Sequence, residues 1–247
     1  MYRRLHSLWP SLAVASVMLA AVAGCSAPSP SVRIPAALVD GQGYAVTIAP
    51  EDFSHPLAND YYPLEPGVTT VFEGGGEHVE VTVTADTKVI MGVTTHVITD
   101  KVTVDGELKE DTVDWYAADN VGNVWYFGEK TAEYENGQVT STEGSWEAGV
   151  DGALPGIIML ADPRVGDTYR QEFYAGQAED VAKVYAMDES VTVPKSAYDR
   201  VVVTEDWSLL TPDVHERKWY APGIGVVFEE TVKGGSGTLS LIDVVGP

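Results

Sequence analysis

His78-Val79-Glu80-Val81-Thr82-Val83-Thr84 sets an apolar β-branched residue at every second position. Successive side chains of a strand point to opposite faces, so this spacing gives one dry face and one wet face and predicts a half-buried strand. Downstream, Lys101-Val102-Thr103-Val104 runs into Asp105-Gly106. Both central residues of a tight hairpin turn take positive φ, which Gly adopts freely and Asp tolerates, so this pair predicts a hairpin. Asn136-Gly137 gives the same signal between residues 132–134 and 138–141. Asp114-Trp115-Tyr116-Ala117 and Val124-Trp125-Tyr126-Phe127 flank a turn at Asp119-Asn120-Val121-Gly122-Asn123. Further strands are expected at 93–98, 168–174, 178–186, 200–207, 216–220, 226–232 and 238–244. Connections are mostly short and helical periodicity is almost absent, so partners should be sequential. The expected fold is all-β: a single antiparallel meander over residues 59–247, forming a strongly curved sheet or barrel. A curved sheet must cover its concave face, and the apolar stretches 153–161 and 34–48 are the candidates; Pro155-Gly156 argues against a long helix at the first.

The N-terminus reads differently. Arg3 and Arg4 precede a nearly continuous apolar run from Leu8 to Val22. That run is shorter than the roughly 20 residues of a spanning helix, so it reads as a signal peptide. It ends in Val22-Ala23-Gly24-Cys25, which resembles the lipobox of bacterial lipoprotein precursors. The resemblance implies cleavage after Gly24 and a lipid on the Cys25 thiol. Two or three long acyl chains, at about 0.8 kcal/mol per buried methylene, anchor firmly. Ser26-Ala27-Pro28-Ser29-Pro30-Ser31 cannot pack a core and begins a tether expected over residues 25–58. The expected organisation is a signal peptide at 1–24, the lipidated tether at 25–58, and the β domain. The expected address is outside the cytoplasm, on the outer face of the cell membrane or on the outer membrane.

Cys25 is the only cysteine of the 247 residues, which excludes an internal disulfide and a multi-cysteine metal site. Lys plus Arg number 15 against 37 Asp plus Glu. The first 24 residues hold two of the arginines and no acid, so the remainder carries 13 basic and 37 acidic residues, a net charge of −24. Such a field repels phosphate backbones and argues against a nucleic-acid partner.

Several phrases stand together: Asn59-Asp60-Tyr61-Tyr62-Pro63-Leu64-Glu65-Pro66-Gly67, Asp114-Trp115-Tyr116-Ala117, Gly122-Asn123-Val124-Trp125-Tyr126-Phe127-Gly128-Glu129, Gly144-Ser145-Trp146-Glu147-Ala148-Gly149, Val165-Gly166-Asp167-Thr168-Tyr169, and Trp219-Tyr220-Ala221-Pro222-Gly223-Ile224-Gly225-Val226-Val227. In this order they resemble a family of uncharacterised bacterial secreted proteins and lipoproteins, over residues 59–245. That family implies no activity. The last phrase is also similar to one in curved-sheet envelope proteins that resemble the carriers and acceptors of lipoprotein sorting, whose half-open barrels hold acyl chains.

Aromatic pairs are the main candidates for a site. Trp115-Tyr116, Trp125-Tyr126 and Trp219-Tyr220 must split between the two faces of a strand, one member for the core and one for a groove or water. Trp115, Tyr126, Trp146, Tyr174 and Trp219 are the expected ligand-binding residues; the same rings serve equally well as core and strand edges. Two carboxylates at the right separation run glycoside hydrolysis, and Glu143 and Glu147 bracket Trp146, while Glu129, Glu133 and Glu172 stand near Lys130 and Arg170. The turn at 119–123 lacks the ligand alternation of a calcium loop. His78 and His96 could meet on neighbouring strands, but no close pair of histidines marks a metal site, and no nucleophile elbow, phosphate loop or dinucleotide fingerprint is present. The sequence therefore predicts no enzyme and no cofactor. It predicts an envelope lipoprotein that binds an apolar or amphipathic ligand, or a partner, in an aromatic-lined groove. A structural envelope protein without a small ligand and a cell-wall glycan-binding protein or glycoside hydrolase are the alternatives.

Overall fold

The computed structural model describes residues 44–246. The signal peptide, Cys25 and the tether up to Gly43 lie outside the described residues. The first strands follow the alternation read above: β1 (Thr69–Gly74), β2 (Glu77–Ile90), β3 (Val93–Val104), β4 (Glu107–Ala118), β5 (Val124–Glu135) and β6 (Gln138–Ser141). Shorter ones come next: β7 (Trp146–Glu147), β8 (Leu154–Met159), β9 (Thr168–Arg170) and β10 (Glu172–Phe173). The chain ends on long strands again: β11 (Asp180–Thr192), β12 (Ala197–Ser208), β13 (His215–Ala221), β14 (Gly225–Lys233) and β15 (Thr238–Val245). Asp105 and Gly106 take φ of 53° and 79°, and Asn136 and Gly137 take 52° and 74°, as mirror-type hairpin turns require.

All ladders are antiparallel, and the main path runs β10-β8-β5-β4-β3-β2-β1-β15-β14-β13-β12-β11-β9. Its two edges, β9 and β10, are consecutive in the chain with only Gln171 between them. One continuous segment thus bonds β11 with its first half and β8 with its second, bringing the sheet round into a nearly closed barrel. Counting β9 and β10 as one stave, the thirteen strands of the path make twelve. Barrels of roughly eight strands fill with their own side chains, and those of roughly sixteen hold a channel. Twelve lies between, and the interior here is part core and part cavity.

Residues 153–161, expected to cover the concave face, instead supply a stave of the wall, β8. Gly156 makes this possible. A Cβ there would run into the carbonyl of Gln171, so only glycine lets the backbones of β8 and the closing segment approach this closely. Residues 44–58, read above as the end of the tether, run along the sheet as a strap. Pro50–Phe53 forms a 3-10 turn, and the Phe53 ring meets Trp125 and Phe127 edge-on at 6.2 and 5.6 Å. The Tyr44 hydroxyl donates to Pro155 O at 2.8 Å, and its ring packs on Phe173. Asn59 ties the end of the strap to the Gly122 and Leu160 carbonyls.

Two apolar clusters form the core. One gathers Ile98, Tyr116, Tyr126, Phe127, Ile157, Tyr169 and Tyr220. The other gathers Phe72, Val79, Val102, Val201, Leu239 and Leu241. Val81 and Val226 pack against both.

Candidate functional site

A cavity of 390 Å³ takes its walls from both clusters. Small-molecule sites fall in this size class, with mostly apolar walls and a few placed polar groups. Val79, Val81 and Val83 of β2, Ile98 of β3, Ile158 of β8 and Val226 of β14 supply the apolar wall. The alternation that marked β2 in the sequence is what aims its valines inward together.

Tyrosines form a second wall. Tyr116 and Tyr126 face each other across the β4–β5 ladder and stack at 4.6 Å, 18° from parallel. Tyr62 lies against Tyr116 at 5.3 Å and Tyr220 at 6.5 Å. The Tyr126 hydroxyl donates to Asp114 Oδ1 at 2.6 Å. Burial pushes the Tyr116 hydroxyl well above the usual phenol range, and the adjacent Asp114 charge pushes it further. Burial likewise raises Tyr62 and Tyr220, so these three hydroxyls stay protonated.

Charge is the cavity's most unequal feature. Nine carboxylates line it: Asp100 and Asp114 from β3 and β4, Glu129 and Glu172 from β5 and β10, Asp180 and Asp206 from β11 and β12, Glu216 and Glu229 from β13 and β14, and Glu65 before β1. Lys218 is the single cation among the lining residues. Burial works against its charge, but Glu229, Asp206 and Glu216 outweigh that cost and hold its pKa above the ordinary lysine value. Asp206 is raised by burial, which Lys218 partly offsets. Glu216 is pushed up to about 7 by burial, with Lys218 opposing and Glu229, Asp206 and Asp180 adding to the effect. Among the described residues, no three carboxylates or histidines are grouped so as to hold a metal ion. The negative charge is spread along the walls rather than focused at a point.

Of the five aromatic residues singled out in the sequence, Tyr126 lines the cavity. Trp146 backs it, with its ring edge-on to Tyr126 at 5.3 Å and its Nε1 donating to Glu172 at 2.8 Å. Trp115 sits on the opposite face of β4 from Tyr116, under the Lys88 ammonium at 3.4 Å from the ring centre. Trp219 meets Phe228 at 4.9 Å on the face of β13 opposite Lys218 and Tyr220. Tyr174 bridges to Ala178 in the turn after β10. Glu143 is exposed and Glu147 pairs with Lys88 at 2.7 Å, and neither lines the cavity. In the turn at 119–123, both Asp119 oxygens are taken by the chain's own donors: the Val121 and Asn123 amides, Asn123 Nδ2 and Trp125 Nε1. His78 and His96 lie on adjacent strands but at opposite ends of the ladder, facing Thr103 and Thr87.

The residues that sequence reasoning missed are Tyr62, Tyr116, Tyr220 and the lining acids other than Glu129 and Glu172, which it had named only as possible catalytic carboxylates. Their signal was parity, since each of Tyr116 and Tyr220 is the partner of a tryptophan chosen above, and Glu216, Lys218 and Tyr220 fall two apart on one strand face.

No family model and no curated protein matches the chain. Three solved structures resemble it at low identity. A protein named as exported, with a YmcC-like fold, from Bacteroides fragilis is 13% identical over 77% of this chain and 99% of its own, with a TM-score of 0.45. A protein named as a lipoprotein, from Parabacteroides distasonis, is 12% identical over 76% and 99%, with a TM-score of 0.44. A hypothetical protein from Chlamydia trachomatis is 8% identical over 74% and 88%, with a TM-score of 0.28. None of the three names states a ligand or an activity.

Proposed function

We propose that this chain is an exported, lipid-anchored envelope protein that holds an amphipathic small molecule inside its barrel and catalyses no reaction on it. The observation that carries the reading is the 390 Å³ cavity, with valines and Ile98 on one side and the Tyr62, Tyr116, Tyr126 and Tyr220 rings on the other. Apolar walls hold a tail, at about 25 cal/mol per Å² removed from water, and the tyrosine and carboxylate oxygens orient a head group. The anchoring half of the reading rests on the leader and Cys25. The two halves are tested separately.

For the ligand, the full chain is isolated from cell envelopes and its native mass measured, beside a Val81→Trp variant that fills the cavity. A bound small molecule in the wild type that is absent from the variant supports the reading. A bare protein mass in every preparation refutes it. For the anchor, the prediction for Cys25 is given in the Discussion.

A further inference from the structure

We infer that the ligand enters and leaves sideways, through a split in the wall between β14 and β15, and that the tip of the β11–β12 hairpin is the gate over it. The inference rests on the reading of the cavity as a ligand site.

The split follows from the register. The ladder between β14 and β15 runs only from Phe228 against Ser240 to Glu230 against Thr238. Beyond Phe228 and Ser240 both strands continue, β14 up to Gly225 and β15 up to Val245, but each keeps only its other neighbour, β13 or β1. The two strands part there as a pair of lips. The cavity reaches both, since Ile224, Gly225 and Val226 line it from one side and Thr70, Val244 and Gly246 from the other. Residues 60–67 bridge the open end of the slot. The Gly223 amide donates to Asp60 O at 2.7 Å, and the Gly67 amide donates to Val83 O at 2.8 Å.

A lip is a row of backbone groups that need partners. On β15 a hairpin tip supplies them in place of a strand. The Lys195 amide, in the turn between β11 and β12, donates to Leu241 O at 3.1 Å, one residue past the last rung. Lys195 Nζ pairs with Asp243 Oδ1, which also accepts from the Val244 amide at 2.9 Å. Val193 joins Val227 and Leu241 in the second apolar cluster. The tip thus takes the places on β15 that the β14 ladder leaves open.

The hairpin that carries the tip is loosely held. Among residues 189–200 only Val193 is buried. At its base the β11–β12 register slips three times between Val184 and Val191. Asp188 and Arg200, which flank the rung between Glu189 and Val201, both take a φ of 57°. Bulges interrupt and bend a ladder, and positive φ is uncommon for such residues, so both strands carry a hinge at the same level. A segment with few buried contacts opens at a lower free energy than the body of the fold. Residues 60–67 are the rival lid, but Tyr62 is packed on Tyr116 and Tyr220, so lifting that loop breaks more.

The test locks the gate. Lys195 and Asp243 are both exposed, so Lys195→Cys with Asp243→Cys leaves the core intact. A bis-methanethiosulfonate reagent links the two thiols, and a reductant cuts the link. The full chain in nanodiscs of zwitterionic lipid is mixed with prodan, a neutral apolar dye. Energy transfer from tryptophan reports its arrival, because Trp207 lines the cavity, and empty nanodiscs are the blank. The linked protein should take up and release prodan about tenfold more slowly than the same protein after reduction, at unchanged affinity. Lys195→Ala with Asp243→Ala, which frees the tip, should exchange the dye about threefold faster than the wild type. Equal rates in the linked and reduced forms, or no gain in the alanine variant, overturn the gate while the ligand cavity stands. If prodan does not bind, or binds Val81→Trp as well as the wild type, the cavity reading falls and the gate with it.

Discussion

Replacing Glu216 with Gln should make the protein more stable at pH 8 and leave it unchanged at pH 4.5. Glu216 faces Lys218 along its own strand, Asp206 on β12, Glu229 on β14 and Asp180 on β11, and its pKa rises from the ordinary 4.5 to about 7. The folded protein therefore holds this proton more tightly than the unfolded chain does. The stability it contributes is full below pH 4.5 and is lost as pH rises through 7. At about 1.4 kcal/mol per pH unit, the interval between the two values amounts to about 3 kcal/mol. Gln keeps the shape and never ionises, so it escapes that loss. It also takes one counter-charge from Lys218, which trims the expected gain to about 2 kcal/mol at pH 8. Urea unfolding of the full chain, followed by tryptophan fluorescence at pH 4.5, 6 and 8, measures the difference directly. A variant no more stable than the wild type at pH 8, or one whose stability falls with pH as steeply as the wild type's, refutes the account of the buried acids.

Gly156→Ala should destabilise the barrel by about 1–3 kcal/mol or more, read as a lower urea midpoint, because the new methyl group meets the Gln171 backbone rather than a movable side chain. Asp119→Ala should cost about 2–4 kcal/mol, since it orphans the buried Trp125 Nε1 along with Asn123 Nδ2 and two amides. A shifted tryptophan emission at unchanged secondary structure would accompany it. Cys25→Ala should leave a precursor of full mass, its apolar leader still attached, that takes up no labelled fatty acid; a variant still trimmed after Gly24 refutes the lipobox.

The strands and their order were legible because the backbone problem is local. A hairpin turn that demands positive φ at both central residues admits few sequences, and Asp105-Gly106 and Asn136-Gly137 are two of them. β8 was harder, because Pro155-Gly156 reads as a breaker. Its glycine answers to Gln171, a neighbour that only the closed barrel supplies. The site was hidden for a different reason. Asp114-Trp115-Tyr116-Ala117 is buried throughout, with the strap's side of the wall covering one face and the cavity's side the other, so the two faces of β4 do not differ in polarity. Parity says that Trp115 and Tyr116 part company, but not which of them looks inward. The acids compounded this: Asp100, Asp114 and Glu129 occupy positions that a polar-outside rule assigns to water, and all three are buried.

The ladder between β1 and β15 has a bearing on how the molecule is made. Every other pairing joins segments near each other along the chain, whereas this one sets Thr69 against Val245, 176 positions apart (245 − 69). A chain emerging N-terminus first can form its local hairpins as they appear, yet the ring stays unfastened until the last strand arrives. Through that interval β1 offers a bare row of amides and carbonyls to any passing strand, including that of a sibling molecule. Biogenesis, rather than the finished fold, is thus where this protein is most exposed to clumping, and a nonsense mutation shortly before Thr238 would make that exposure permanent.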